Sequence, residues 1–224
     1  MHAGESDGRD TLNVIAAYIA LSSTIYYAAA IVLLHILRPD FDPRYRYLSE
    51  YVNGPYGSLM TSTFFVLSLG SLALLFGLWR SVSSKFRFAP GMLLWLVWAC
   101  AVFFAGVYPS DLQGAPATSN GQIHNQMGMI AFLCATLALP LLSVPLRWDK
   151  KWQSAWSSAV LLSLPVIFSY FALDRLGEIH LAGLDQRIFL GVTLIWMWIL
   201  GSKMLAIAKQ RQPRPRGRWM KNRG

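Results

Sequence analysis

Histidines, carboxylates and arginines collect near the ends of long apolar segments, and these side chains carry proton-transfer, metal and phosphate chemistry. The candidates for catalysis are His35, Glu50, Asp111, His124 and Asp174. The candidates for metal ligands are His35, His124, His180 and Asp111, because neutral imidazoles and a carboxylate suit zinc. The three histidines come from separate connections without HxxxH spacing, so a zinc site requires the fold to bring them together. Solvated or hydrogen-bonded histidines at helix ends are the alternative interpretation.

Arginines beside these groups are candidates for binding a phosphate headgroup, because a guanidinium group matches phosphate oxygens in a bidentate geometry. The candidates are Arg38, Arg46 and Arg187. The same arginines fit internal salt bridges that fix loops to helices, and the sequence favours neither interpretation. A serine nucleophile assisted by a histidine is a further possibility, with Ser49 or Ser110 as the hydroxyl, although no GxSxG motif is present.

The elements that position these residues are long apolar segments, each close to the roughly twenty residues that cross a bilayer as a helix. The chain of 224 residues is 54% hydrophobic and only 14% charged. The predicted spans are 14–37, 59–79, 90–108, 123–145, 157–173 and 186–206. We therefore predict an all-α membrane protein, a six-helix transmembrane bundle that forms one domain over residues 1–209.

The distribution of Lys and Arg predicts the orientation of the bundle. Basic residues fill the second connection, the fourth connection and the tail, and the positive-inside rule makes that side cytoplasmic. Both termini are then cytoplasmic, although Arg38, Arg44 and Arg46 in the first connection count against this orientation. His35, Glu50, Asp111, His124, Asp174 and Arg187 all map to the outer face, where we expect them to form one site.

The tail, residues 210–224, is basic and contains no acidic residue. It has too few apolar residues to form a core, so we predict a disordered cytoplasmic segment that contacts anionic lipids. Nucleic-acid binding is the rival use of such a charge run, but nothing else in the chain supports it.

The polar block HILRPDFDPRYRYLSEYVNGPYG, residues 35–57, separates the first two spans. Asp42-Pro43 predicts the start of a helix and Asn53-Gly54-Pro55 its end, so a short amphipathic helix in the headgroup region is expected. An ordinary interfacial loop with solvated charges is the alternative.

Four blocks of this chain, HILRPDFDP, LSEYVNGPYG, YPSD followed by GQIHN, and LDQRI, resemble the motifs of domain-of-unknown-function family 998. That resemblance implies a small multi-pass protein of the prokaryotic plasma membrane, and the family has no assigned activity. In the family the third block more often reads FPTD and the sixth helix opens with Glu-Arg. Here Gln186 precedes Arg187, which argues against a catalytic role for position 186.

These patterns predict an outward-facing polar site that binds or modifies a lipid headgroup or a similar amphiphile. An enzyme of this kind would be a membrane lipid hydrolase or transferase, with zinc assistance as one form. The alternative is a non-enzymatic accessory or interaction subunit, acting as a homo-oligomer or with a membrane partner protein. A small transporter ranks third, because no Asp, Glu, Lys or Arg lies in the middle of a predicted helix.

Overall fold

The structure is a computed structural model that describes residues 3–178 and 181–211, with side chains over 11–172 and 181–210. Its six long helices are α1 (Ala3–Leu37), α2 (Gly57–Ser81), α3 (Lys85–Val107), α4 (Ser119–Ser143), α5 (Trp156–Glu178) and α6 (Ala182–Arg211). Each is long and apolar enough to cross a membrane. The described residues contain no strand, so the predicted all-α class with six spanning helices is confirmed.

The helices extend beyond several predicted ends. α3 begins at Lys85 rather than at residue 90, and Pro90 lies inside it. α6 begins at Ala182 rather than at 186, and α1 begins at Ala3 rather than at 14. The predicted ends followed the loss of hydropathy, but a helix continues through charged residues because it satisfies its own backbone groups.

The six helices form a closed ring in which each packs on the next along the chain and α6 packs back on α1. Small residues bring the first two helices close together. A Cβ added at Gly70 of α2 would clash with the side chain of Ser23 in α1. This close approach agrees with the role of small residues in membrane helix packing.

Three buried indoles fill the interior of the bundle. The ring of Trp95 lies 5.6 Å from that of Trp98 and 5.1 Å from that of Trp196, measured between centroids. Trp98 Nε1 donates to Ser71 Oγ over 3.1 Å, and Trp196 Nε1 donates to Ser143 Oγ over 2.9 Å. Trp95 Nε1 donates to the Ser71 carbonyl over 3.1 Å, so all three of these large side chains are buried without an unsatisfied donor.

The predicted amphipathic helix from Asp42 is wrong. Asp42 caps a turn, in which its Oδ1 accepts from Arg44 N over 2.9 Å, and only Leu48–Val52 forms a short 3-10 helix. Backbone carbonyls that a helix would use internally are taken by α6: Arg44 O accepts from Leu184 N over 3.0 Å. Arg46 O accepts from the Arg187 guanidinium over 2.7 Å. Asn53, the predicted stop, does end the 3-10 helix.

Candidate functional site

Glu50 organises the polar block from within. Its carboxylate is only 1% exposed. Oε1 accepts from Tyr47 N over 2.8 Å, while Oε2 accepts from the Arg46 guanidinium over 2.8 Å and from Gln113 N over 3.0 Å. A buried carboxylate with this many donors is well satisfied, so Glu50 ties the first connection to the third rather than facing a ligand.

His35 joins the end of α1 to the start of α6. Its Nδ1 lies 2.6 Å from Ile31 O, and a carbonyl only accepts, so the proton is on Nδ1. Nε2 is then free to accept from Arg187 Nε, 3.0 Å away. The ring of Tyr51 lies 5.5 Å from the imidazole. Both ring nitrogens of His35 are therefore occupied within the protein.

Arg38 fixes the turn at the end of the polar block. Its Nε and Nη2 bind the carboxylate of Asp40 at 2.9 and 2.8 Å, and its Nη1 donates to Asn53 O over 2.8 Å. The hydrogen-bonded Arg38 guanidinium lowers the pKa of Asp40. Gly54 follows with a φ of 88°, a left-handed conformation that favours glycine.

The three arginines predicted to bind a headgroup thus have internal partners: carboxylates for Arg38 and Arg46, and an imidazole with carbonyls for Arg187. In Arg187, Nη2 is buried and makes no hydrogen bond with the residues that the structure describes. All three side chains hold the polar block in place.

Asp111 lies in the connection between α3 and α4, and His124 lies near the start of α4. His124 is 5% exposed, and its Nδ1 lies 2.9 Å from both Ala105 O and Tyr108 O, so this nitrogen carries the proton. Asp111 accepts from Thr118 N and Thr118 Oγ1, each over 2.8 Å, and Thr118 Oγ1 accepts from Gly121 N at the start of α4. Asp111 is therefore part of a helix cap, whereas His124 keeps Nε2 as an acceptor.

Among the side chains that the structure describes, those of residues 11–172 and 181–210, no group of three His, Cys, Asp or Glu is placed to hold a metal ion. His35 is occupied and Asp111 caps α4, as described above. Of the remaining zinc and catalytic candidates, His180 and the side chain of Asp174 lie outside the described residues. The basic tail beyond Arg211 also lies outside them.

A cavity of about 520 Å³ opens between the Tyr47–Ser49 segment, α4, α5 and the start of α6. We call it the His124 cavity. Its lining is Tyr47, Ser49, His124, Asn125, Gly128, Met129, Phe132, Tyr170, Phe171 and Gln186. A narrower void of about 60 Å³ continues inward and shares five of these residues. They are Ser49, His124, Gly128, Phe132 and Gln186.

The polar end of the His124 cavity is uncharged. Gln186 Oε1 accepts from Leu48 N over 2.6 Å, which leaves the Gln186 amide N–H groups without a partner among the described residues. Ser49 Oγ and the Asn125 side chain also lack one within that part of the chain. Burial, and secondly the nearby Glu50, raises the pKa of the Tyr47 hydroxyl, so Tyr47 stays a neutral group at physiological pH.

Sequence reasoning selected charged residues and missed most of this lining. Hydrogen bonds join His35 to Arg187, Arg187 to the Arg46 carbonyl, and Arg46 to Glu50. Of the catalytic candidates whose side chains are described, only His124 lines the cavity. Gly128 was not singled out, although it lies one helical turn beyond His124 on the same face of α4. The GQIHN motif and the departure at position 186 were the usable signals.

A family model, Protein of unknown function (DUF998), matches residues 20–203. The chain belongs to the DUF998 family. The matched range runs from α1 into α6, so it includes the polar block and the whole described lining of the His124 cavity in this DUF998 protein. No curated protein and no solved structure gives a significant match to the chain. The predicted family is confirmed, and the predicted multi-pass character agrees with it.

Proposed function

We propose that this DUF998 protein binds a membrane amphiphile in the His124 cavity. One observation carries the proposal: the cavity joins an uncharged hydrogen-bonding end to an apolar wall that reaches the surface of the bundle. On that wall Met129 is 66% exposed and Phe171 is 74% exposed, and both lie in helices that are long and apolar enough to cross a membrane. The polar head would lie at Ser49, His124 and Gln186, and the chain along Phe132 and the apolar wall.

The lining also indicates the class of headgroup. None of the lining residues is an Asp, Glu, Lys or Arg, and a charged head buried without a counter-charge is costly. Ser49, Asn125, Gln186 and the His124 Nε2 acceptor suit hydroxyl, ester or amide groups instead. The arginines near the cavity are already bonded within the protein. A neutral glycerolipid or glycolipid therefore fits this site better than a lipid whose only polar group is a phosphate.

The test fills the cavity without disturbing the backbone. A Cβ added at Gly128 meets no atom within 4 Å, so Gly128→Leu places a side chain in the cavity. Gly191 on α6 is a matched control, because its Cβ would also meet nothing within 4 Å and it is absent from the cavity lining. We expect a diacylglycerol carrying a diazirine and an alkyne to crosslink to the purified protein and to Gly191→Leu. Gly128→Leu should lose most of that labelling.

Labelling of α4 and α5 peptides, competed by unmodified diacylglycerol, supports the site directly. Equal labelling of the Gly128→Leu and Gly191→Leu variants would contradict it, because general contact with lipid would then explain the signal. Stronger competition by phosphatidic acid than by diacylglycerol would contradict the uncharged headgroup while leaving the cavity in place.

A second candidate function, ester hydrolysis, is favoured by the tautomer of the His124 imidazole. With the proton on Nδ1, Nε2 is available as a base in the same cavity as the Ser49 hydroxyl. In the first step Ser49 Oγ would bond to the acyl carbon as its proton passes to Nε2. The ester C–O bond would break, with that proton going to the leaving alcohol. Water would then hydrolyse the acyl-serine and regenerate the hydroxyl.

Labelling by a fluorophosphonate probe tests this step. The wild-type protein should be labelled, and Ser49→Ala should abolish the reaction. His124→Gln should slow it by about 10²–10⁴-fold, the usual contribution of a general base. Ser110 is the control, because its Oγ donates to Ser49 O over 2.9 Å. Loss of labelling when Ser110 is replaced by alanine, or labelling that persists in Ser49→Ala, would contradict hydrolysis at this site.

A further inference from the structure

A second apolar groove lies at the opposite end of the bundle, between the end of α2 and the start of α3. Its volume is about 450 Å³. We call it the Trp79 groove. Its lining is entirely apolar: Leu72, Leu75, Phe76, Trp79, Ala89, Met92, Leu93 and Leu96. Several of these side chains are well exposed, Leu93 at 62% and Trp79 at 52%, so the groove opens on the outer surface of the helices.

Two cations lie against the aromatic residues of the groove. Lys85 Nζ is 4.6 Å from the centroid of the Trp79 ring, and Arg80 Cζ is 5.2 Å from that of Phe76. Both contacts are within cation–π range. Because an ammonium group has three N–H donors and a single ring contact does not use them all, Lys85 keeps a donor for an oxyanion. The rim of the groove is therefore positive while its floor is apolar.

The acidic residue of the α4–α5 connection does not pair with Lys85. Asp149 in the α4–α5 connection is buried, and it accepts from Ser83 N over 2.7 Å and from Lys151 N over 3.0 Å. Lys85 forms no ion pair with the part of the chain that the structure describes. Arg80 donates to Asn13 Oδ1 over 3.0 Å, which orients its guanidinium beside the groove.

We propose that the Trp79 groove binds an anionic phospholipid, with an acyl chain between α2 and α3 and the phosphate at Lys85. The apolar floor supplies contact for the chain, and Lys85 supplies a positive charge that a zwitterionic headgroup would use less well. This site is separate from the His124 cavity and does not depend on the function proposed there.

The experiment uses the full chain in detergent and measures bound lipid by native mass spectrometry. Phosphatidylglycerol and phosphatidylcholine with identical acyl chains are the probes. The charge variant is Lys85→Gln. Its control is Lys209→Gln, because Lys209 Nζ also lies over an aromatic ring, that of Tyr18 at 5.6 Å, but neither residue lines the Trp79 groove. The tail is unchanged in both variants.

We expect the wild-type protein to retain phosphatidylglycerol over phosphatidylcholine. Lys85→Gln should bind phosphatidylglycerol about fivefold more weakly, which corresponds to about 1 kcal/mol per interfacial cation. Lys209→Gln should bind as the wild type does. Equal loss in both variants would overturn the proposal, since charge anywhere on this end would then suffice.

A second variant tests the groove apart from the charge. Ala89 lines the groove and is exposed, so Ala89→Trp fills it without changing the buried core. Both cations remain in place. We expect this variant also to lose the bound phosphatidylglycerol. Retention at the wild-type level, or equal binding of phosphatidylcholine by the wild type, would show that no anionic lipid site is built here.

Discussion

Arg187 Nε donates to His35 Nε2 across 3.0 Å, and this bond joins the first and last spanning helices. The same guanidinium donates to Arg46 O over 2.7 Å and so holds the polar block as well. Because His35 donates through Nδ1 to its own helix, only its neutral form can accept from Arg187. The two residues therefore act as one unit that fixes how α1, α6 and the polar block meet.

A double-mutant cycle should detect this unit. We expect His35→Leu and Arg187→Gln each to lower the free energy of unfolding, with a coupling of about 1–3 kcal/mol between them. Denaturant unfolding in mixed micelles, followed by tryptophan fluorescence, measures all four proteins. Effects that add within about 0.5 kcal/mol would show that the two side chains act independently.

Glu50→Gln should destabilise the protein by about 2–3 kcal/mol, because it leaves Arg46 without its carboxylate in a buried network. Asp40→Asn is the control: the Asp40 side chain is 58% exposed, so breaking its solvent-screened pair with Arg38 should cost less than Glu50→Gln does. The same unfolding measurement compares them. A larger loss from Asp40→Asn would contradict the central place given to Glu50.

The Asp42 carboxylate should stay ionised to a lower pH than an ordinary aspartate side chain. Its hydrogen-bonded partner Arg44 lowers the pKa of Asp42 from 3.8 to about 2. Since the folded pKa lies below the ordinary value, the contribution of this pair is complete above about pH 4 and is lost as the pH falls through about 2. Carboxyl NMR of the protein in micelles should show this titration, and Arg44→Gln should return the midpoint towards 3.8. An unchanged midpoint in the variant would contradict the pairing.

Cysteine labelling tests the predicted orientation. In a background with Cys100 and Cys134 replaced by alanine, Ser119→Cys should react with an impermeant maleimide added to intact cells, and Ser83→Cys should not. Both serines are exposed and lie at opposite ends of the bundle. The reverse pattern would place the His124 cavity on the cytoplasmic side and would require a ligand from that leaflet.

Hydropathy and motifs predicted the six helices and the family, because spanning segments and the GPYG and GQIHN blocks are local features of the sequence. The helix predicted from Asp42 was wrong, because Leu184 and Arg187 of α6 donate hydrogen bonds to carbonyls that a helix would use internally. Hydropathy and motifs also favoured charged residues as the site. In the fold those charged side chains bond within the protein, while the neutral Ser49 and Gln186 line the cavity. Which residues line it depends on three-dimensional packing and cannot be read from local motifs.

The closed ring of helices has a consequence for how the chain is made. His35 and the carbonyl of Arg46 leave the ribosome long before Arg187, yet their hydrogen-bond partner is on the last helix. A nascent chain that ends before residue 182 contains the whole polar block but lacks Arg187, the hydrogen-bond partner that fixes the block to α6. The His124 cavity, which needs Gln186, is completed at the same moment. The ligand binding proposed for this cavity therefore requires a chain whose last helix has been inserted.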